Sequence, residues 1–216
     1  MPSPAEPTGP DPVPHSEPHS NPCPYVSRGG LKLRHAMDAF ALDPAAMTCA
    51  DLGCSTGGFT DCLLQAGASR VFAVDTAYGQ LAWKLRTDPR VVVIERSNAL
   101  HAEPPEGPIC ALVVIDLGWT PQRLALPAAR TWLAPAGRIL TLIKPHYEVE
   151  KSALPPGGVL DEPEAERIAR AVYESLPAMG FRALGLTRSP VLGGAASRKK
   201  SKGSGNAEWL ALLAIE

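Results

Sequence analysis

The chain lacks the features that define several common protein classes. Its 216 residues contain no apolar run long enough to cross a membrane, and the N-terminus has no basic-then-apolar signal pattern. The five cysteines form no CxxC pair, so buried thiols in a reduced, cytoplasmic protein are favoured over a metal site. The formal net charge is −1, so any binding of nucleic acid has to come from local basic patches.

The first residues have little that could form a core. Residues 1–24 are rich in proline, serine and glutamate and have almost no large apolar side chains. Such a segment cannot bury enough surface to offset its ordering entropy, so we expect a disordered tail. Residues 25–216 are long and apolar enough for a single domain with a full core.

Segments with strand and helix patterns alternate along that domain. This alternation predicts an α/β fold of Rossmann-like type, in which a seven-stranded, mainly parallel sheet has helices on both faces. Loops are predicted over 146–160 and 193–205. The predicted strands are 48–52, 70–75, 91–95, 111–116, 138–144, 181–188 and 208–215, and the predicted helices are 27–40, 58–66, 79–86, 123–133 and 162–179.

A glycine-rich turn follows the first predicted strand and leads into a helix, which is the nucleotide-binding edge of a doubly wound sheet. A carboxylate in this turn would repel a pyrophosphate, but it suits the ammonium and sulfonium groups of S-adenosylmethionine. The turn therefore favours a methyltransferase over a dinucleotide enzyme. The candidate cofactor residues here are Asp51, Gly53, Ser55, Thr56, Gly57, Gly58 and Phe59.

Two further polar residues complete the expected cofactor site. Asp75 ends the second predicted strand, about twenty residues after the turn, where such folds place a carboxylate for ribose hydroxyls. The alternative for Asp75 is a cap on the next helix. Asn98 follows the third strand, where we expect contact with adenine.

Two almost purely apolar strands end in charged residues, Asp116 and Lys144. Both should lie at the carboxyl edge of the sheet, beside the bound methyl donor. A lysine acts as a base only when its amine is neutral for part of the time, which burial or a second lysine favours. The alternatives are an ion pair that merely ties two strands together and, for Asp116, a helix cap or a ligand to the cofactor amine.

Several strings resemble the TlyA-like, or haemolysin-like, ribosomal RNA methyltransferases of the wider FtsJ-like class. The resemblance runs from about residue 25 to the C-terminus. It implies S-adenosylmethionine-dependent methylation of a ribose 2′-hydroxyl, on ribosomal RNA or a ribosomal subunit, by a tetrad of Lys32, Asp116, Lys144 and Glu208. The strings are Tyr-Val-Ser-Arg-Gly-Gly-Leu-Lys-Leu at 25–33, Tyr-Gly-Gln-Leu-Ala-Trp-Lys-Leu-Arg at 78–86, Lys-Pro-His-Tyr-Glu at 144–148 and Gly-Asn-Ala-Glu-Trp-Leu at 205–210.

In the mechanism that this resemblance implies, Lys144 takes the hydroxyl proton, Lys32 helps to keep it neutral, Asp116 orients it and Glu208 balances the charge. The chain departs from the family in three places: a proline-rich tail replaces the usual N-terminal RNA-binding domain, residues 117–119 are Leu-Gly-Trp where a Ser-Phe-Ile-like string is typical, and a basic insertion precedes the last strand.

These departures leave the tetrad in place, so the sequence predicts the chemistry more closely than it predicts the RNA target. Two alternatives are an RNA-binding or ribosome-assembly protein without turnover on the same fold, and a methyltransferase for a protein or small molecule. The candidate RNA-binding residues are Arg28, Arg34, Arg198, Lys199, Lys200 and Lys202.

Overall fold

The computed structural model describes residues 23–193 and 205–216, so most of the predicted tail and the basic insertion lie outside the described residues. A seven-stranded sheet in the order β3-β2-β1-β4-β5-β7-β6 dominates the described part. Strands β1 to β5 pair in parallel, and β7 pairs antiparallel with both β5 and β6. The predicted mainly parallel α/β sheet is confirmed. The strands are β1 Thr48–Leu52, β2 Arg70–Val74, β3 Val91–Ile94, β4 Cys110–Ile115, β5 Leu133–Ile143, β6 Phe181–Arg188 and β7 Trp209–Ile215.

Helices separate most successive strands, as predicted, although none lies between β3 and β4. Asp161 caps the longest of them, because its carboxylate accepts the N–H of Glu164 at 2.9 Å. No described helix has the length and apolar character that a membrane crossing needs. The helices are α1 Gly29–Ala39, α2 Gly58–Gln65, α3 Trp83–Arg86, α4 Gln122–Arg130, α5 Pro145–Glu148 and α6 Glu162–Ser175, with 3₁₀ turns at Lys151–Ala153 and Pro177–Met179.

Several element boundaries differ from the predicted ones. The helix predicted over 123–133 ends at Arg130, and β5 already begins at Leu133, because Trp132 turns into the core and is fully buried. The helix predicted over 79–86 is only α3, since Gly79 has a φ of +73° and Ala82 is extended. The loop predicted over 146–160 contains most of α5.

Two apolar layers cover the two faces of the sheet. Alternate residues of a strand point to opposite faces, so Phe72 packs in the layer that contains Trp132, and its neighbour Val71 packs in the other layer. Leu33 and Met37 of α1 are buried in that second layer, where each side chain contributes about 1.5–3 kcal/mol. With both faces covered, the carboxyl edge of the parallel strands is left for polar chemistry.

The first two helices begin against one another. A Cβ on Gly30 would lie 2.2 Å from the Tyr25 ring, and a Cβ on Gly58 would lie 2.2 Å from the Ser27 hydroxyl oxygen. The carboxylate of Asp61 on α2 also accepts the N–H of Val26 at 2.8 Å. This close packing places the start of α1 beside the turn that precedes α2.

Candidate active site

A cavity of about 810 Å³ opens at the carboxyl edge of the sheet. Its walls are the start of α1, the loops that follow β1, β2, β3 and β4, the end of β5, and the segment after β6. The lining residues lie in the segments 27–32, 53–59, 75–76, 98–100 and 116–120, together with Lys144, Val191 and Leu192.

The turn after β1 needs glycine at two positions. Gly53 has a φ of +92°, and a Cβ there would lie 2.6 Å from the Asp116 carbonyl oxygen. Gly57 has a φ of +100°, and its Cβ would lie 2.3 Å from Leu85. Gly57 therefore lies behind the cavity wall. The other predicted members of the turn line the cavity, namely Gly53, Ser55, Thr56, Gly58 and Phe59.

Asp51 does not line the cavity, although we expected it to contact the cofactor directly. It is fully buried, and its Oδ2 accepts the N–H and the hydroxyl of Thr60 at 2.9 and 2.6 Å. Its Oδ1 has no hydrogen-bond partner among the described residues. Burial raises the pKa of Asp51 to about 7. Its side chain leaves β1 toward α2, so Asp51 fastens the strand to the helix beneath the turn.

Asp75 lines the cavity at the end of β2. Its Oδ2 accepts the N–H of Ser55 and its Oδ1 that of Ala77, both at 2.8 Å. Two carboxylate oxygens offer about four acceptor positions, so this group can still receive bonds from a ligand. The helix after β2 begins only at Trp83, so Asp75 closes a turn and does not cap that helix. Asn98 faces the same cavity from the loop after β3.

The structure brings together all four residues of the tetrad as two ion pairs. Lys144 Nζ lies 2.5 Å from Asp116 Oδ1 and donates to the Leu117 carbonyl at 3.0 Å. Lys32 Nζ lies 2.5 Å from Glu208 Oε2. Both lysines line the cavity, whereas Glu208 is buried behind Lys32. Burial raises the pKa of Glu208, and the charges of the two lysines oppose that rise.

An aromatic pair, which the sequence patterns did not indicate, borders the predicted tetrad. The Trp119 ring lies 4.8 Å from the Tyr147 ring, and Lys144 Nζ lies 5.7 Å from the centre of that ring. Trp119 is 74% exposed and has a φ of +56°, which is rare for a bulky residue. The available signal was an aromatic residue in a short loop directly after a charged strand end.

The predicted RNA-binding residues fall into three groups. Arg28 is exposed and lines the cavity. Arg34 is absent from the cavity wall and pairs with Asp38 along α1. The remaining four, Arg198, Lys199, Lys200 and Lys202, lie outside the described residues. Within the described ranges, no group of three His, Cys, Asp or Glu residues could hold a metal ion.

The family model of the FtsJ-like methyltransferases matches residues 25–203 of this sequence. The chain belongs to the FtsJ-like methyltransferase family. Its relatives include "16S/23S rRNA (cytidine-2'-O)-methyltransferase TlyA" of Mycobacterium tuberculosis, which is 44% identical over 171 residues, 78% of this chain and 64% of that protein. YqxC of Bacillus subtilis is 41% identical over 177 residues, 81% of this chain and 63% of that protein. The resemblance found in the sequence is confirmed, and the chain spans just under two thirds of these relatives.

Solved structures agree with this membership. A Streptococcus thermophilus protein named "Putative hemolysin" has a TM-score of 0.80 and 38% identity, and the match covers 90% of this chain and 68% of that one. An S-adenosylmethionine-dependent methyltransferase from Mesorhizobium loti, at 15% identity, has a TM-score of 0.56 over 83% of this chain and 95% of its own. The second likeness concerns the fold alone. Together they confirm that this FtsJ-like chain has the Rossmann-like methyltransferase fold.

Proposed function

We propose that this chain transfers a methyl group from S-adenosylmethionine to a ribose 2′-hydroxyl of RNA, with ribosomal RNA as the substrate. One observation carries the proposal. The glycine-rich turn and Asp75 share a single cavity with Lys32, Asp116 and Lys144. A site for a nucleoside-bearing cofactor therefore adjoins a lysine that can remove a proton. The TlyA relative, whose name states ribosomal RNA 2′-O-methylation, supports this substrate class.

The cavity residues fit S-adenosylmethionine. The cavity volume of about 810 Å³ lies in the range of ligand pockets. The Asp75 carboxylate is held by two N–H groups and can accept the ribose hydroxyls, and Asn98 stands on the next loop for the adenine. The carboxylates of Asp75 and Asp116 favour a cationic ligand over a pyrophosphate. The cofactor, when bound, supplies a methyl group on a sulfonium that is already a good leaving group.

Lys144 is the proposed base that accepts the proton of the ribose hydroxyl. Asp116 and the Leu117 carbonyl are two acceptors for its amine. In the neutral form that a base requires, the amine keeps two N–H bonds, one for each of these acceptors, so both can hold it at the cavity wall. Asp116 thereby orients the base. General-base catalysis contributes about a hundred- to ten-thousand-fold to the rate in other enzymes.

Lys32 and Glu208 form the supporting pair of the site. An unpaired buried charge is costly, so a second lysine can stand in this cavity only beside a counter-charge. Glu208 supplies that charge at 2.5 Å from Lys32. The intact pairing of all four residues favours a working enzyme over a protein that keeps only the fold.

RNA binding is assigned to local cations. Arg28 lies at the cavity, and four cations precede Glu208 in the sequence, Arg198, Lys199, Lys200 and Lys202. Replacing these four by serine should weaken RNA binding and flatten its dependence on log salt, because each lost phosphate contact lowers that slope by about 0.7–0.9. Cofactor affinity should stay unchanged. Equal slopes for variant and wild type would contradict a role in backbone contacts and leave Arg28 as the main candidate.

The deciding experiment is methyl transfer from tritium-labelled S-adenosylmethionine to ribosomal subunits, to free ribosomal RNA and to the ribosomal protein fraction. The RNA is then digested to nucleosides. We expect label in a 2′-O-methylated nucleoside. Label on a base, or in the protein fraction alone, would overturn the proposed substrate group.

A further inference from the structure

The loop after β4 and the segment that begins with Lys144 touch at three successive places. The contacts couple a charged pair at one end, an aromatic pair in the middle and a carboxylate–amide pair at the other end. The pairs are Lys144 with Asp116 at 2.5 Å, Tyr147 with Trp119 at 4.8 Å between ring centres, and Glu148 with the N–H of Gln122 at 3.0 Å. Segments 116–122 and 144–148 therefore run side by side.

Glu148 holds the start of α4. Gln122 is the first residue of α4, so its N–H has no partner within the helix. Both carboxylate oxygens of Glu148 lie within reach of that N–H, at 3.0 and 3.3 Å. The Gln122 side chain is also fixed, since its amide donates to the Leu142 carbonyl at 3.1 Å and accepts the Thr141 hydroxyl at 2.7 Å. Glu148 thus fixes the backbone of Gln122, while β5 fixes its side chain.

The loop between these contacts needs restraint. Trp119 has a φ of +56°, a backbone conformation that bulky residues rarely adopt, and its ring is largely exposed. Such a conformation persists only when the surroundings hold it. Lys144 holds one end of the loop, and Glu148 holds the other. Between them lies the single turn of α5, whose first residue, Pro145, has a fixed φ.

We infer that Glu148 is a positioning residue for the reaction. Through Gln122 it keeps the loop 117–121 in the shape that holds the Leu117 carbonyl against Lys144 and Trp119 at the cavity wall. This inference rests on the proposed function, because its effect on rate is an effect on the base. Glu148 itself does not line the cavity. Burial raises its pKa to about 7, which agrees with a carboxyl enclosed by the loop.

The test compares Glu148→Ala, Glu148→Gln and the exposed control Glu150→Ala. The Trp119 signal in iodide quenching is isolated by subtracting the Trp119→Phe variant in each background. Glu148→Ala should make Trp119 easier to quench and lower kcat for methyl transfer about ten- to a hundredfold, since small misplacements of reacting groups cost this much. The dissociation constant of the cofactor should stay within about threefold, because no described contact of Glu148 reaches the loops after β1, β2 and β3, which supply most of the proposed cofactor wall. Glu148→Gln keeps an acceptor and should restore both readouts, and Glu150→Ala should match wild type.

Unchanged Trp119 quenching in a folded Glu148→Ala protein would overturn the inference, and so would a loss of cofactor affinity as large as the loss of kcat. If Glu148→Ala shows no cooperative melt, Glu148→Asp decides by the same readouts, because it withdraws the carboxylate by one methylene. Quenching needs no RNA. A wild type that fails to methylate RNA therefore overturns the proposed function, whereas an unresponsive Trp119 overturns the positioning role.

Discussion

The two halves of the open sheet edge are built on different principles. In the half that we propose for the cofactor, formed by the loops after β1, β2 and β3 and called the cofactor half below, backbone groups hold the polar side chain. Asp75 is fixed by the N–H groups of Ser55 and Ala77. In the half that we propose for the reaction, called the reaction half below, charged side chains hold one another, as in the pair of Lys144 and Asp116. The pair of Lys32 and Glu208 follows the same rule.

This difference predicts how each half responds to substitution. Removing a carboxylate that backbone N–H groups hold takes away a ligand and leaves no opposing charge behind. Removing one member of a buried ion pair leaves its partner uncompensated, which costs far more. On the proposed function, Asp75 serves the cofactor and Lys144 serves the substrate hydroxyl, so changes in the cofactor half should act on cofactor binding and changes in the reaction half on turnover.

The largest effect should come from Lys144→Ala. Loss of the base should lower methyl transfer about a hundred- to ten-thousand-fold. Cofactor affinity should change by only a few-fold, because the rest of the pocket lies in the other half of the edge. Tritium transfer and calorimetric titration of the cofactor measure the two quantities. Turnover near that of wild type would remove Lys144 from the mechanism and erase the contrast between the halves.

Asp75→Ala should show the opposite pattern. The ribose hydroxyls would lose a charged acceptor, worth about 1.5–3 kcal/mol, so the cofactor should bind tens of fold more weakly. Saturating cofactor should restore most of the rate. The exposed Glu103→Ala variant is the matched control. An unchanged dissociation constant would mean that Asp75 serves only to fix the loops that contain Ser55 and Ala77.

Asp51 extends the comparison between the two halves. It is a buried carboxylate on β1, beneath the cofactor half, and it has no cationic partner among the described contacts. Its pKa in the folded protein is about 7, above the ordinary value of 3.8. Its contribution to stability is therefore complete below pH 3.8 and lost as the pH rises through 7.

Asp51→Asn should remove that dependence. Between pH 5 and pH 8, the free energy of unfolding of wild type should fall relative to the variant by on the order of 2 kcal/mol. Urea unfolding at the two pH values measures this difference. Parallel curves for the two proteins would show that the Asp51 carboxyl keeps its ordinary titration in the folded state.

Much of the fold could be predicted from local pattern. β1 and β6 occupy the predicted residues, because short apolar runs between glycine and proline turns leave few other choices. The insertion of β7 between β5 and β6 could not be foreseen, since antiparallel pairing there depends on contacts between segments far apart in the chain. The boundaries of α4 and β5 differ from the predicted ones because Trp132 is buried in the core, and this burial depends on tertiary packing.

The site divides in the same way. Asp116 and Lys144 end neighbouring parallel strands, so their meeting at one edge follows from the sheet alone. Lys32 and Glu208 carry no local signal of their own, and only the family resemblance indicated them. The contacts of Trp119 and Glu148 arise where α5 packs against the loop after β4 and the start of α4, which no sequence periodicity indicates.

The ion pair of Lys32 and Glu208 joins positions 176 residues apart, one on the first helix and one just before the last strand. β7, the last strand of the sheet to be synthesised, lies between two strands made earlier. Residues 209–213 are buried, so the same segment completes the sheet and brings the counter-charge to Lys32. The charge balance at the cavity therefore depends on the long-range pairing that closes the core, and a change that loosens β7 should disturb Lys32 as well as the packing of the sheet.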